Sequence, residues 1–138
     1  MGLPDTMHTY TIYCDGSVLP HRQGKPSFAA FAACRGNTVV AEWSGRIEAV
    51  DVTAAELQAI LEALQWAAGR RAKGVQVFTD SKAAVLTIQG RRLEKYMEIL
   101  WQIRSLVKTL KASVNWVPRE MNAYADGLCR KAARKYQQ

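Results

Sequence analysis

Two acidic residues of this chain follow short apolar runs, and that placement gives them the clearest potential for chemistry. Asp15 follows the run Tyr10–Cys14, and Asp80 follows the run Val75–Thr79. Both runs are rich in β-branched and aromatic residues, which predicts buried strands. If the two strands are parallel neighbours, both carboxylates lie at one edge of the sheet. Adjacent carboxylates repel each other, and a divalent cation between them relieves the repulsion. The placement therefore predicts a metal site.

Two further acids, Glu56 and Asp126, lie in the early turns of predicted helices. Each of the four acids also has a purely structural explanation. Asp15 can end its strand at a turn, Asp80 can cap the next helix, and Asp126 can be a solvated helix residue. Glu56 can complete a capping box with Thr53. The structural explanations together would require four acids to stand at the ends or starts of four elements by coincidence. In addition, open α/β sheets bind ligands at the carboxyl ends of their strands.

The elements that must position these acids follow from the hydrophobic pattern. Strands are predicted at about 9–15, 27–34, 38–45, 75–79 and 113–117, with a hairpin turn at Gly36-Asn37, and helices at about 53–69, 81–89, 93–110 and 121–136. Strands joined through helices run parallel with right-handed crossovers. The predicted fold is therefore of the α/β class: a five-stranded mixed sheet, three antiparallel then two parallel strands, with helices on both faces.

Composition narrows the partner and the compartment. The 138 residues correspond to one domain, predicted at 9–138 behind a flexible leader at 1–8, and we expect a monomer. The net charge of +7 favours a polyanionic partner, either nucleic acid or an anionic membrane. No apolar run is long enough to cross a bilayer. The three cysteines are far apart, which fits neither a zinc site nor a disulfide framework, and we expect a cytoplasmic protein.

Four segments of the chain resemble the type 1 ribonuclease H family: Tyr10–Ser17, Thr53–Ala59, Val77–Lys82 and Trp116–Asp126. Their order and spacing match across about residues 9–136. The resemblance implies a ribonuclease H-like sheet and an enzyme that cuts the RNA strand of RNA–DNA hybrids, leaving 5′-phosphate and 3′-hydroxyl ends. It also implies two Mg²⁺ or Mn²⁺ ions and a catalytic, metal-binding set formed by Asp15, Glu56, Asp80 and Asp126.

The resemblance and the basic charge together indicate which residues contact the hybrid. The 2′-hydroxyl distinguishes RNA from DNA, and it is expected near Glu56 and the backbone that follows Asp15. The predicted substrate contacts are Gly16, Ser17, Lys82, Arg91, Arg92, Arg119 and Asn122. Exposed lysine and arginine side chains are also commonly just solvated.

The chain departs from many bacterial members of that family. It has no histidine in the loop before the last acid, since its histidines are His8 and His21, and only Gly90–Arg92 stands where a basic protrusion is common. Both features resemble the archaeal- and plant-like branch. Val52 and Thr53 stand where members often carry asparagines. Three hypotheses result: a metal-dependent hybrid nuclease, a catalytically weak or inactive RNA- or hybrid-binding module on the same fold, and a structural domain of a larger reverse-transcriptase-like assembly.

Overall fold

A five-stranded mixed sheet is the centre of the fold in the computed structural model, which describes residues 9–20, 22–90 and 94–137. In chain order the elements are β1 (Thr11–Val18), β2 (Ser27–Arg35), β3 (Thr38–Ile47), α1 (Val52–Gly69), β4 (Gln76–Thr79), α2 (Lys82–Gln89), α3 (Met97–Leu110), β5 (Ser113–Trp116) and α4 (Ala123–Gln137). Short 3₁₀ turns at Glu94–Tyr96 and Arg119–Met121 precede α3 and α4. The predicted order of strands and helices is confirmed. The predicted leader, 1–8, lies outside the described residues.

The strand order across the sheet is β3-β2-β1-β4-β5. β1 pairs antiparallel with β2 and parallel with β4, and β4 pairs parallel with β5. The predicted mixed topology is therefore confirmed, including the hairpin between β2 and β3, where Gly36 has a φ of 60°. This order places the end of β4 beside Cys14 of β1, the residue before Asp15.

Helices cover both faces of the sheet, and β2 is shaped to allow this. Residues 27–33 of β2 are all buried, and four of them are alanines. One face contributes Ala29, Phe31 and Ala33 to the core under α1 and α3. The other contributes Phe28 and Ala30 to a smaller core under α4. Small side chains let helices approach closely on both sides, which explains the alanine content of a central strand.

β1 extends further than its sequence predicts. It continues past Asp15 to Val18, and Asp15 pairs with Ala30 of β2, so the predicted turn at Asp15-Gly16 is wrong. The glycine serves helix packing instead: a Cβ atom on Gly16 would lie 2.3 Å from the carbonyl carbon of Ala55 in α1. Only a residue without a side chain allows α1 to reach β1 at this point.

The described part of the chain has no helix that combines the length and the apolar character required to cross a membrane.

Candidate active site

Three of the predicted acids meet where the pairing of β1 with β4 ends. The last residues in register are Cys14 and Thr79, and the chain places Asp15 and Asp80 directly after them. Glu56 joins them from the first turns of α1, so that one carboxylate oxygen from each acid lies within 4.8 Å of the other two. Parallel strands thus bring the two aspartates together, as their spacing predicts.

Glu56 is held by the close approach of α1 to β1. The backbone N–H of Gly16 donates a hydrogen bond to Glu56 Oε1. The glutamate is only 5% exposed and Asp15 only 8%. The missing side chain at Gly16 therefore does two things: it admits the helix and it leaves a backbone donor facing the carboxylate.

Asp51, and not the pair Thr53 and Glu56, caps the N-terminus of α1. Asp51 Oδ1 accepts a hydrogen bond from the N–H of Ala54 at 2.8 Å and so caps α1. The capping box predicted as an alternative, between Thr53 and Glu56, is therefore wrong. Because Asp51 satisfies the end of the helix, Glu56 is left for the acidic cluster.

The N-terminus of α2 is likewise capped by a residue outside the acidic cluster, so Asp80 is not needed as a cap. Ser81 caps α2, and its Oγ accepts from the N–H of Ala84 at 3.0 Å. The alternative in which Asp80 caps α2 is wrong. The backbone of Asp80 is also held, since Trp116 Nε1 donates to its carbonyl oxygen at 3.2 Å.

Asp126, the fourth predicted acid, lies beside this group rather than inside it. Its carboxylate is close enough to Asp15 to raise the pKa of that carboxyl. It also forms an ion pair with Arg130 one helical turn later, with 3.1 Å between Oδ2 and Nε. Asp126 therefore adds negative charge at Asp15 while its own carboxylate has a positive partner.

The electrostatics of the site disfavour its charged form. Burial, followed by the nearby Asp80 and Asp126 carboxylates, raises the pKa of Asp15 to about 7. Burial, followed by the Asp15 carboxylate, raises the pKa of Glu56 to about 9, although the Gly16 hydrogen bond acts in the opposite direction. These carboxyl groups oppose one another's ionisation, and a cation bound between them would favour the ionised forms.

The donor set fits a hard divalent cation. All three groups of the cluster offer carboxylate oxygens, the ligands that Mg²⁺ and Mn²⁺ prefer. Their mutual spacing, within 4.8 Å, is on the scale of two metal–oxygen bonds of about 2.1 Å each. Asp15, Glu56 and Asp80 are the residues that would hold such an ion, with Asp126 adjacent.

The predicted substrate contacts lie in different environments. Gly16 is buried and its N–H is bonded to Glu56, and Ser17 Oγ lies 3.3 Å from Cys129 Sγ. Lys82 and Arg119 are exposed. The Lys82 ammonium lies 4.8 Å from the centre of the Trp116 ring. The same indole donates to the Asp80 carbonyl oxygen.

Asn122, another polar side chain among the predicted substrate contacts, is buried. Asn122 is 1% exposed, and its Nδ2 donates to the Cys14 carbonyl at 2.8 Å, so its side chain lies inside the protein. Arg91 and Arg92 lie outside the described residues.

Sequence reasoning missed the residues that hold the acids in place. Asp51, Trp116 and Arg130 were not among the predicted site residues. The spacing of Asp126 and Arg130, one helical turn apart, is a readable signal for an ion pair. The contact of Trp116 with Asp80 follows from the β4–β5 register and has no local signature.

Comparison with known proteins gives a family and a fold. A model of the reverse transcriptase-like family matches residues 14–132, a range that includes all four acids. Comparison with curated protein sequences finds no match.

Among solved structures, the chain is similar to the N-terminal RNase H domain of Rv2228c from Mycobacterium tuberculosis, solved as a fusion with maltose binding protein. They share 25% identity with a TM-score of 0.79, over 91% of this chain and 93% of that one. RNase H1 from the halophilic archaeon Halobacterium salinarum NRC-1 gives 22% identity and a TM-score of 0.82, over 92% and 98%.

LC11-RNase H1, isolated from compost by a metagenomic approach, was solved in complex with an RNA/DNA hybrid. It is 22% identical with a TM-score of 0.83, over 94% of this chain and 99% of that one. The predicted ribonuclease H-like fold is thereby confirmed. The archaeal- or plant-like branch stays a prediction.

Proposed function

Because the chain belongs to the reverse transcriptase-like family, we propose that it is a metal-dependent endonuclease that hydrolyses the RNA strand of RNA–DNA hybrids. The proposed products carry 5′-phosphate and 3′-hydroxyl ends. The observation that carries the proposal is the cluster of three carboxylates, within 4.8 Å of one another, at the end of the β1–β4 pairing. Structural caps at Asp51 and Ser81 leave this cluster without a role in helix termination.

The residues of the chain divide the work of hydrolysis. Asp15, Glu56 and Asp80 supply the anionic oxygens that hold divalent cations, and we propose two Mg²⁺ or Mn²⁺ ions with Asp126 completing the set. Such ions, when bound, stabilise the negative charge that develops on the oxygens of a phosphodiester during displacement. Gly16 orients Glu56 through its backbone N–H.

Binding and choice of the RNA strand need other groups. We propose that Lys82 and Arg119, both exposed, contact phosphates, together with Arg91 and Arg92. A positively charged protein that neutralises phosphates releases counterions, so its binding weakens as salt increases. Recognition of the 2′-hydroxyl is proposed for Glu56 and the Gly16–Ser17 segment.

A cleavage assay tests the proposal directly. A hybrid labelled on either strand is incubated with the protein in Mg²⁺, in Mn²⁺ and in chelator, with double-stranded DNA and double-stranded RNA as controls. We expect shortened RNA and intact DNA with either metal, and no cleavage in chelator. Ligation of the products without prior phosphorylation checks the 5′-phosphate. Asp80→Asn is the matched control, because it changes one oxygen for nitrogen at the site.

The same assay decides the alternative function. Binding of the hybrid without cleavage in either metal would favour a catalytically weak or inactive RNA- or hybrid-binding module. Cleavage in chelator would contradict metal dependence. We also propose a cytoplasmic, monomeric protein; the three unpaired cysteines, Cys14, Cys34 and Cys129, support a reducing compartment, and size-exclusion chromatography tests the monomer.

A further inference from the structure

Asn122 connects the two elements that carry Asp15 and Asp126. Its Nδ2 donates to the carbonyl of Cys14, the residue before Asp15, across a separation of 108 residues. Its backbone carbonyl accepts a hydrogen bond from the N–H of Asp126 at 3.1 Å. One residue is therefore bonded both to β1 next to one acid and to α4 at the other acid.

The side chain of Asn122 does not form the helix-capping hydrogen bond that its position before α4 favours. Asparagine directly before a helix ordinarily turns its side-chain oxygen to a backbone N–H of the first turn. Asn122 precedes α4, which begins at Ala123. Its Oδ1, however, has no hydrogen-bond partner among the described residues, although the side chain is 1% exposed. An unpaired buried acceptor is costly, so the amide is oriented by its bond to β1 and not by capping.

The Cys14 carbonyl that accepts this bond lies where the pairing of β1 with β4 ends. Cys14 is the last residue of β1 in register with β4, opposite Thr79. β4 ends at Thr79, and the next residue of β1 is Asp15, which belongs to the acidic cluster. A carbonyl oxygen can only accept, so a donor is needed there, and the amide supplies it from the turn that leads into α4.

We propose that Asn122 is a positioning residue, which sets the separation of the Asp15 and Asp126 carboxylates by bonding β1 to the start of α4. The proposal rests on the proposed function and deepens it. In this role Asn122 acts on the reaction through the two acids, and not through the direct contact with substrate that its sequence position predicts.

Two variants and one control separate this role from simple packing. Asn122→Ala removes the donor and leaves a small cavity, whereas Asn122→Asp keeps the shape and replaces the donor with an acceptor. Thr87→Val is the control: Thr87 is 2% exposed, and its Oγ1 also donates one bond to a backbone carbonyl, that of Ala83 at 2.7 Å. Each protein is measured for Tm, for the rise in Tm on adding Mn²⁺, for hybrid affinity in chelator, and for kcat and KM.

Both Asn122 variants should lower kcat by about 10-fold to 100-fold, the usual cost of losing a partner of a ligand, with KM and hybrid affinity nearly unchanged. Their rise in Tm with Mn²⁺ should shrink. Thr87→Val should lose stability but keep kcat and the full rise in Tm.

Other results would overturn the proposal. A raised KM with unchanged kcat would make Asn122 a substrate contact, and effects equal to those of Thr87→Val would make it a packing residue. Loss of the folded state in both variants would also contradict the proposal, because the whole fold would then depend on this amide. If the wild-type protein gains stability from Mn²⁺ but does not cleave, the proposed function fails, and the rise in Tm alone decides the role of Asn122. If it does neither, both proposals fail.

Discussion

Asp15 and Asp51 are the same kind of residue in opposite environments. At Asp15, burial and two neighbouring aspartates raise the pKa to about 7. At Asp51, burial alone would raise the pKa, but hydrogen bonds from the Tyr96 hydroxyl, the Ala54 N–H and the Lys95 ammonium hold it below its usual value. The protein thus favours the charge on one aspartate and opposes it on the other.

The difference shows which acid serves the fold and which serves the site. Asp51 caps α1 and joins it to the turn before α3, with 2.7 Å to the Tyr96 hydroxyl and 3.0 Å to Lys95 Nζ. All of its partners come from the chain. Asp15 is surrounded by carboxyl groups whose mutual repulsion a bound cation would remove. Folding completes the environment of Asp51, whereas a bound cation would complete the environment of Asp15.

The largest effect should come from removing charge in the acidic cluster. Asp80→Asn keeps one carbonyl oxygen but loses the charge that attracts a cation. A loss of several kcal/mol of charge stabilisation corresponds to a fall in cleavage of about 1000-fold or more. Asp51→Asn should retain most of the activity. Gel assays in Mg²⁺ and Mn²⁺ measure both, and equal activity losses would remove the distinction between the two regions.

Asp126→Asn should have a smaller effect than Asp80→Asn. Asp126 lies outside the cluster of Asp15, Glu56 and Asp80, and its carboxylate forms an ion pair with Arg130. An amide there keeps the shape of the side chain and one carbonyl oxygen, so we expect a decrease of about 10-fold to 100-fold, with more activity retained in Mn²⁺. Cleavage rates in both metals check this. A variant as inactive as Asp80→Asn would place Asp126 among the ligands that the site cannot lose.

Much of this site is predictable because parallel strands place their carboxyl ends at one edge. That rule brings Asp15 and Asp80 together from two short apolar runs, without knowledge of the helices. The order of elements and the mixed sheet follow equally from periodicity, since strands and helices bury side chains with different repeats.

The remaining details depend on contacts between distant segments. Asp15-Gly16 has the sequence of a turn, yet in the structure it continues β1. The local sequence could not reveal this, because the glycine is required by the close approach of α1, a distant segment. Asp51 and Thr53 are both residues that cap helices well, and the contact of Asp51 with Tyr96, 45 residues away, lies beyond local sequence. Asn122 is predicted only as a substrate contact, because its bond to the Cys14 carbonyl, 108 residues away, is likewise invisible in the local sequence.

The stability of the metal-free protein should depend on pH with opposite signs in the two regions. Asp15 and Glu56 have folded pKa values raised from 3.8 to about 7 and from 4.5 to about 9. Their contribution is therefore fully present below about pH 4, and it is lost as pH rises through the folded pKa values. The pKa of Asp51 is lowered, so its contribution is present above its unfolded pKa of 3.8 and is lost as pH falls below it.

Thermal melts in chelator from pH 4 to pH 9 measure this dependence. Asp15→Asn should remove much of the loss at high pH and raise the Tm of the metal-free protein at pH 8 by several degrees. Mg²⁺ should restore stability to the wild type at pH 8 and should have little effect on the variant. A wild-type Tm that rises steadily to pH 9 in chelator would contradict the assigned environment of the cluster.

The smallest effects should come from the two residues that contact Asp51 Oδ2, and the first test is Tyr96→Phe, which removes one hydroxyl from that contact. The hydroxyl donates to Asp51 Oδ2 at 2.7 Å, and Tyr96 is 4% exposed. The loss of one such bond costs about 1 kcal/mol, which for a chain of this size lowers Tm by about 4 °C. Lys95→Met is the matched variant at the same oxygen. Its ammonium is exposed, with a side-chain exposure of 60%, so the effect should be smaller still. Neither change should alter cleavage, since Asp51 keeps its bond to Ala54 and α1 keeps its cap. If Tyr96→Phe lowers kcat while the Tm falls only slightly, the bonds around Asp51 also position Glu56, and the two regions form one unit.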